Sequence, residues 1–407
     1  MSSASYRTLL RTPGAALFFL TGAVGRIGIA MTGLGIVWLV HAKSGSYTTA
    51  GLVTGGFALA EAVAGPQLAR LMDRVGQSRV LPPALLAHAA AVTTLLALVA
   101  AGAPGWLMAA GGVLAGATIP QLGALSAARW AALLRDGRAA ALPTAFALES
   151  LANELAYLAG PALVSILGTS GYPAAGTVLA AALVVAGGLC FAAQRRTAPR
   201  MASDDPSAFG VASASDDAAM PVAAGAELLR PRFVILAGMN LAIGCFFGSM
   251  QISVTAFAVE HGAADAAAAL FTVSSCASLL AGWLYGLRRW RAPARIQLVV
   301  VAAGLAAACL PLLMIGSPVE LGFQLALTGL AIPPLLVLCT LLAESAVRPS
   351  VLTQAFVWLN SASAAGSAGA AAVAGWAVDS FGAHGGFALA ATAAGMMALL
   401  AVAALRA

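Results

Sequence analysis

Apolar residues run through this chain in long blocks separated by short polar stretches. The blocks fall near 14–40, 48–69, 81–101, 105–128, 143–168, 173–193, 233–258, 265–287, 296–315, 319–343, 351–378 and 384–405. About 20 consecutive, mostly apolar residues suffice for a helix to cross the hydrocarbon of a bilayer. The pattern therefore predicts an all-α membrane protein of twelve transmembrane helices. The opening MSSASYRTLLRTPGAALFFL has arginines before an apolar run, as a secretory signal does. The run continues past Val40, too long for a cleaved segment, so it reads as the first membrane helix.

Composition agrees. The 407 residues are 61% hydrophobic and only 9% charged, against roughly 25% charged in a typical soluble domain. The five cysteines (Cys190, Cys245, Cys276, Cys309, Cys339) lie in apolar runs without a CxxC or Cys/His cluster. They read as small packing residues, as does His88; His41, His261 and His384 fall between spans. No metal and no cofactor is expected. There is no HExxH, Walker loop or G-x-S-x-G, so neither an enzyme nor an ATP-driven pump is expected.

The cations add an orientation. Of 21 Lys and Arg, 19 fall before span 1, in alternate loops, or at the C-terminus. The opposite loops hold only Lys43, and Arg26 lies inside span 1. Cytoplasmic loops of membrane proteins concentrate Lys and Arg, so both termini are expected in the cytoplasm. This topology accounts for the net charge of +6 without nucleic acid. High Ala and Gly with one lysine point to a GC-rich bacterial genome and its inner (plasma) membrane.

Residues 194–230, QRRTAPRMASDDPSAFGVASASDDAAMPVAAGAELLR, have no apolar period and read as a flexible cytoplasmic linker. It divides the spans six and six, into 1–193 and 231–407. The halves resemble each other. TIPQLGALSAARW (118–130) matches AIPPLLVLCTLLAE (331–344), PTAFALES (143–150) matches TQAFVWLN (353–360), and AGPQLARLMDRVG (64–76) faces AGWLYGLRRWRAP (281–293). Duplicated halves around a central site are a common transporter plan. The expected architecture is two pseudo-symmetric six-helix bundles in a monomer.

GPQLARLMDRVGQSRVL, residues 65–81, resembles the loop motif between spans 2 and 3 of the major facilitator superfamily. Gly65, Asp73, Arg74, Gly76 and Arg79 occupy the matching positions, with Ala69 where glycine is usual. The resemblance implies a cytoplasmic gate. Small residues at 65 and 69 permit close helix packing, and Asp73 is placed to meet a helix N-terminus or a neighbouring arginine. A second stretch, LAGPALVSILG (158–168), resembles the Gly-Pro of span 5 in drug exporters of that family. Gly160 and Pro161 are present, Leu163 and Val164 depart from the pattern, and a helix kink is expected at the Gly-Pro.

The span containing LESLANELAYLAGP (148–161) carries two carboxylates. Charge in the bilayer costs at least a few kcal/mol, so such groups face a wet cavity or a partner. At about 100° per residue, Asn153, Tyr157, Gly160 and Glu154 lie within about 140° of Glu149, so one broad face is polar. At about 1.5 Å per residue, Glu154, Arg26 and Glu61 lie roughly 16, 18 and 14 Å deep, near the midplane, with Glu149 shallower at roughly 9 Å. These four are the expected proton-coupling residues. Burial favours a protonated carboxyl and a nearby arginine an ionised one, so movement of Arg26 changes proton affinity.

The second half offers neutral polar residues in its spans. Asn240, Gln251, Gln354 and Asn360, with Asn153 and Tyr157 from span 5, are the expected substrate contacts. The pair Pro333 and Pro334 marks an expected bend in span 10, and Glu344 reads as a gate or topology charge. The leading expectation is a proton-coupled exporter of small apolar or amphipathic compounds working by alternating access. Proton-coupled uptake of a sugar or organic acid, and a membrane scaffold or sensor that moves nothing, are the alternatives.

Overall fold

In the bilayer core every backbone N–H and C=O must bond within the protein, and a helix does this within one segment. The computed structural model obeys that rule. It describes residues 6–135, 137–169, 172–199, 228–262, 266–288 and 290–406. A short helix, Tyr6–Leu10, precedes α1 (Ala15–Ser44), α2 (Tyr47–Val75), α3 (Gln77–Ala100), a two-segment α4 (Gly105–Thr118 and Leu122–Leu134), α5 (Leu142–Thr169) and α6 (Pro173–Ala192). Then follow α7 (Pro231–Glu260), α8 (Ala266–Leu287), α9 (Ala294–Cys309), α10 (Pro318–Ala346), α11 (Leu352–Phe381) and α12 (Ala383–Arg406). The protein is an all-α, multi-pass membrane protein.

Among the described residues ten helical stretches are long and apolar enough to cross a membrane. The other two spans, α2 and α11, are 29 and 30 residues long but more polar. These two helices pack against each other across the seam between the halves.

The contact pattern repeats with a shift of six helices. α1 packs on α6 and α5, α2 and α3 on α4, and α3 on α6; α7 packs on α12 and α11, α8 and α9 on α10, and α9 on α12. Small residues permit this closeness, as expected where lipid supplies no hydrophobic drive between helices. A Cβ at Gly116 would strike the carbonyl of Phe57, and one at Gly244 the carbonyl of Ser363.

Three features depart from the sequence reading. The span 2–3 motif is not an extended loop: α2 runs through Asp73 and Arg74, α3 begins at Gln77, and only Gly76 intervenes. Its φ of +98° is one that side-chain-bearing residues rarely adopt. The fourth span is broken, because Pro120 lacks an N–H and disfavours helix at the residue before it; Ile119 is extended and Gln121 starts the next segment. Pro161, Pro333 and Pro334 by contrast lie inside continuous helices.

Arg129 is the third departure. It is no loop charge but a fully buried side chain of α4. Its guanidinium lies 3.7 Å from the centre of the Phe191 ring. It donates to Gln77 Oε1 at 3.1 Å, the Gln194 carbonyl at 3.1 Å and Thr197 Oγ1 at 3.2 Å. The start of the expected linker is thus docked on α4 as a 3-10 turn, Arg195–Thr197. Residues 200–227 of that linker lie outside the described residues.

Candidate transport site

The deepest charges form a closed knot. Arg26 of α1 is 4% exposed, and its Nη2 lies 2.6 Å from Glu149 Oε2 of α5. Nη1 donates to the Glu149 carbonyl at 3.2 Å. The other carboxylate oxygen, Oε1, accepts from Ser126 Oγ at 2.6 Å and Trp130 Nε1 at 2.7 Å, both on α4. One carboxylate therefore ties α1, α4 and α5 together. About three turns further along α5, Gly160 also packs on α1, where a Cβ would come within 3.0 Å of Ala30.

Arg26 does not pair with Glu154, as equal depth along the helices would have it. An arginine side chain is longer than the helical pitch of about 5.4 Å, so axial depth does not select its partner. Facing does: Glu149 and Gly160 lie on the α1-facing side of α5, and Glu154 lies about 140° round from Glu149.

Glu154 is half-buried, and among the described residues no hydrogen bond or ion pair engages it. Tyr157, one turn on, is 62% exposed, and Asn153 is exposed. Glu61 of α2 accepts from Gln121 Nε2 of α4 at 2.5 Å. Glu61 and Glu154 both lie within electrostatic range of Tyr157. Glu61, Glu154 and Tyr157 therefore form one polar cluster, the carboxylate wall, on α2 and α5. The break in α4 builds part of this wall, because it sets Gln121 against Glu61.

The second half divides differently from the expectation. Asn240 is buried and donates to the Leu236 carbonyl of its own helix at 2.9 Å. Gln354 is buried in the seam. Neither lines open space, while Gln251 and Asn360 are exposed.

The seam is closed at the arginine-rich end. Asp73 Oδ2 accepts the backbone N–H of Gln354 at 2.9 Å, in the first turn of α11, where unpaired N–H groups attract an anion. Gly65 faces Val357, and Phe146 meets Phe356 edge to face at 6.1 Å. Arg74 and Arg79 are exposed. On the other side of the seam Tyr6 donates to the carbonyls of Gly282 and Trp283 of α8, at 3.2 and 3.0 Å. Gly286 makes room for its ring, since a Cβ there would overlap the Tyr6 hydroxyl. Glu344 of α10 interacts electrostatically with Arg135.

The model of the Major Facilitator Superfamily matches residues 18–356. The chain belongs to the major facilitator superfamily. It is a transporter of that superfamily and not an enzyme. Solved structures agree on the fold. Human MFSD10 (TETRAN), described as an organic anion transporter, has a TM-score of 0.70 at 17% identity, covering 96% of this chain and 98% of its own. FucP in the outward conformation has a TM-score of 0.69 at 15% identity, covering 97% and 99%. A bacterial homologue of the iron transporter ferroportin, in an outward-facing state, has a TM-score of 0.71 at 12% identity, covering 96% and 99%. No curated protein sequence matches.

Within this superfamily chain the sequence reading missed Gln121, Ser126, Trp130 and Arg129. Pro120 in mid-span beside a glutamine was the available signal for Gln121. Ser126 and Trp130 lie one turn apart on α4 and looked like ordinary packing residues. Tyr6 carried no signal, because its partners are backbone carbonyls of a helix 276 residues away.

Proposed function

We propose that the chain is a proton-coupled secondary transporter that exports small apolar or amphipathic compounds by alternating access. The carrying observation is the pairing pattern of the carboxylates. Glu149 is fully engaged by Arg26, Ser126 and Trp130. Glu154, with no partner among the described residues, and Glu61, held by one amide, are both only half-buried. A carboxylate on a wetted wall exchanges protons with solvent, whereas one locked in a buried knot exchanges them only when the knot opens. We assign proton exchange to Glu154 and Glu61, and the holding of α5 on α1 to the Arg26–Glu149 pair. The pair takes part in the cycle if α1 and α5 separate. Asn153, Tyr157, Gln251 and Asn360 contact substrate.

The arginine-rich end faces the cytoplasm in this reading, and residues 194–230 tether the bundles there. The closed seam then corresponds to an outward-open state. Asp73 on the first turn of α11 is the latch of that state, with Gly65, Gly76, Arg74 and Arg79 shaping and flanking it. Opening the latch exposes the same wall to the cytoplasm.

The test is transport by purified protein in liposomes under an imposed pH gradient. Uphill movement of an amphipathic substrate against the proton flow, collapsed by a protonophore, supports coupled export. Movement in the same direction as the protons favours uptake, and movement indifferent to the gradient removes the coupling.

A further inference from the structure

The six-helix shift of the contact pattern pairs α1, α3, α4 and α6 with α7, α9, α10 and α12. In the first half the space between the ends of these helices, at the arginine-rich side, is filled by protein. Arg129 of α4 is fully buried there against the Phe191 ring of α6. It donates to Gln77, the first residue of α3, and to Gln194 and Thr197 of the segment after α6. That segment covers the guanidinium, and Thr197 is itself buried beside Gly14 at the start of α1.

The second half is built otherwise. In the matched segments TIPQLGALSAARW and AIPPLLVLCTLLAE, Leu342 stands where Arg129 stands. Leu342 lines an open cleft of about 360 Å³, mouth included, together with Arg232 of α7, Arg295 of α9, Ser345 of α10 and Ala404 of α12. Two guanidinium groups on the walls of a cleft thus take the place of one buried cation. We infer that this cleft binds a phosphate group, carried by an acidic phospholipid or free in solution.

The electrostatics of the helix ends support this. Arg232 and Arg295 are each the second residue of their helix, and neither α7 nor α9 has an acidic residue in its first turn or a capping side chain. Helix N-termini carry partial positive charge and unpaired N–H groups, so an arginine there adds charge of the same sign. Two such ends in one cleft concentrate positive charge that an anion relieves. Phosphate accepts bidentate bonds from guanidinium forks and further bonds from helix-terminal N–H groups. Glu344, the acidic residue next to Ser345, is engaged electrostatically with Arg135 of the first half. Leu236, Leu342 and Ala404 give the cleft apolar lining. Ile296 and Leu405, each next in the chain to a lining residue, are exposed. This apolar surface favours a lipid over a fully hydrated ion, and basic pockets between membrane helices are known seats of acidic headgroups.

The probes are dihexanoyl phosphatidylglycerol, dihexanoyl phosphatidylcholine, whose phosphate is neutralised by choline, and inorganic phosphate. Each is titrated into the purified full-length protein in neutral detergent, with the thermal unfolding midpoint as readout, since a ligand of the folded state raises it saturably. The expected result is an apparent Kd for phosphatidylglycerol at least about tenfold below that for phosphatidylcholine. Arg232→Gln/Arg295→Gln weakens phosphatidylglycerol binding at least about tenfold. Ser345→Leu fills the cleft, keeps both charges and is expected to weaken binding likewise; it is read in place of the Gln pair if that pair does not fold. Arg195→Gln/Arg196→Gln removes equal charge from exposed positions outside the cleft and stays within a few-fold of wild type. Saturation by phosphatidylglycerol and not by phosphate assigns the site to lipid, and saturation by phosphate with the same variant pattern assigns it to the free ion. Equal response to the two lipids without response to phosphate, or no saturable response to either anion, overturns the inference. So does a response unchanged in the Gln pair, or lost equally in the Arg195/Arg196 pair. Each of these readouts is of binding alone and stands whether or not transport is coupled to protons.

Discussion

Two glutamates five residues apart on α5 have unequal surroundings, and their substitution should have unequal consequences. Glu149 sits in a buried pair with Arg26. Removing one partner of such a pair leaves an uncompensated charge, at a cost of about 3–5 kcal/mol. Arg26→Met is therefore expected to lower the thermal unfolding midpoint sharply in detergent, and Arg26→Met/Glu149→Gln to recover most of the loss. Glu154→Gln is expected to shift stability by less than about 1 kcal/mol while abolishing gradient-driven transport. At this scale the sequence was informative about type and poor about partner. Charge inside an apolar run identified Arg26, Glu61, Glu149 and Glu154. Which carboxylate meets Arg26 depends on helix facing and on a long side chain, and axial depth contains neither.

At the scale of elements, twelve spans and their order were legible because a 20-residue apolar block has few other uses. The breaks were not. Pro120 ends a segment of α4, while Pro161, Pro333 and Pro334 are carried within helices; at Pro333 the freed Gly329 carbonyl accepts from Ser278 Oγ of α8 at 2.9 Å. At the α4 break His88 Nδ1 lies 3.1 Å from the Ala115 carbonyl, a carbonyl exposed by the end of the segment. His88, expected as packing alone, thus also caps this end. The single-residue joint between α2 and α3 gives a sharp prediction. Gly76→Ala forces a side chain into a φ of +98° and should cost about 1–3 kcal/mol. Asp73→Asn keeps the fold but replaces a charged acceptor at the α11 N-terminus with a neutral one. In a cysteine-free background, a Thr353→Cys reporter, buried in the closed seam, should label several-fold faster when Asp73→Asn is added.

For the whole molecule, the repeated contact pattern gives two equivalent seams, α2 with α11 and α5 with α8. The first is fastened by Asp73, and the second by Tyr6 lodged over Gly282 and Gly286. Gly286→Leu should expel the Tyr6 ring and loosen the second seam, read as faster labelling of an Ala147→Cys reporter, with little change in substrate affinity. The duplication was visible in the sequence through three weakly matching segments. The second fastening was not, because it uses a side chain that precedes the repeat. Proton exchange at the carboxylate wall is the central claim. The most direct measurement is proton release from the purified protein in weakly buffered detergent on addition of a binding amphipathic compound. The account predicts release from wild type, loss in Glu154→Gln and reduction in Glu61→Gln. Release undiminished in both variants would contradict it.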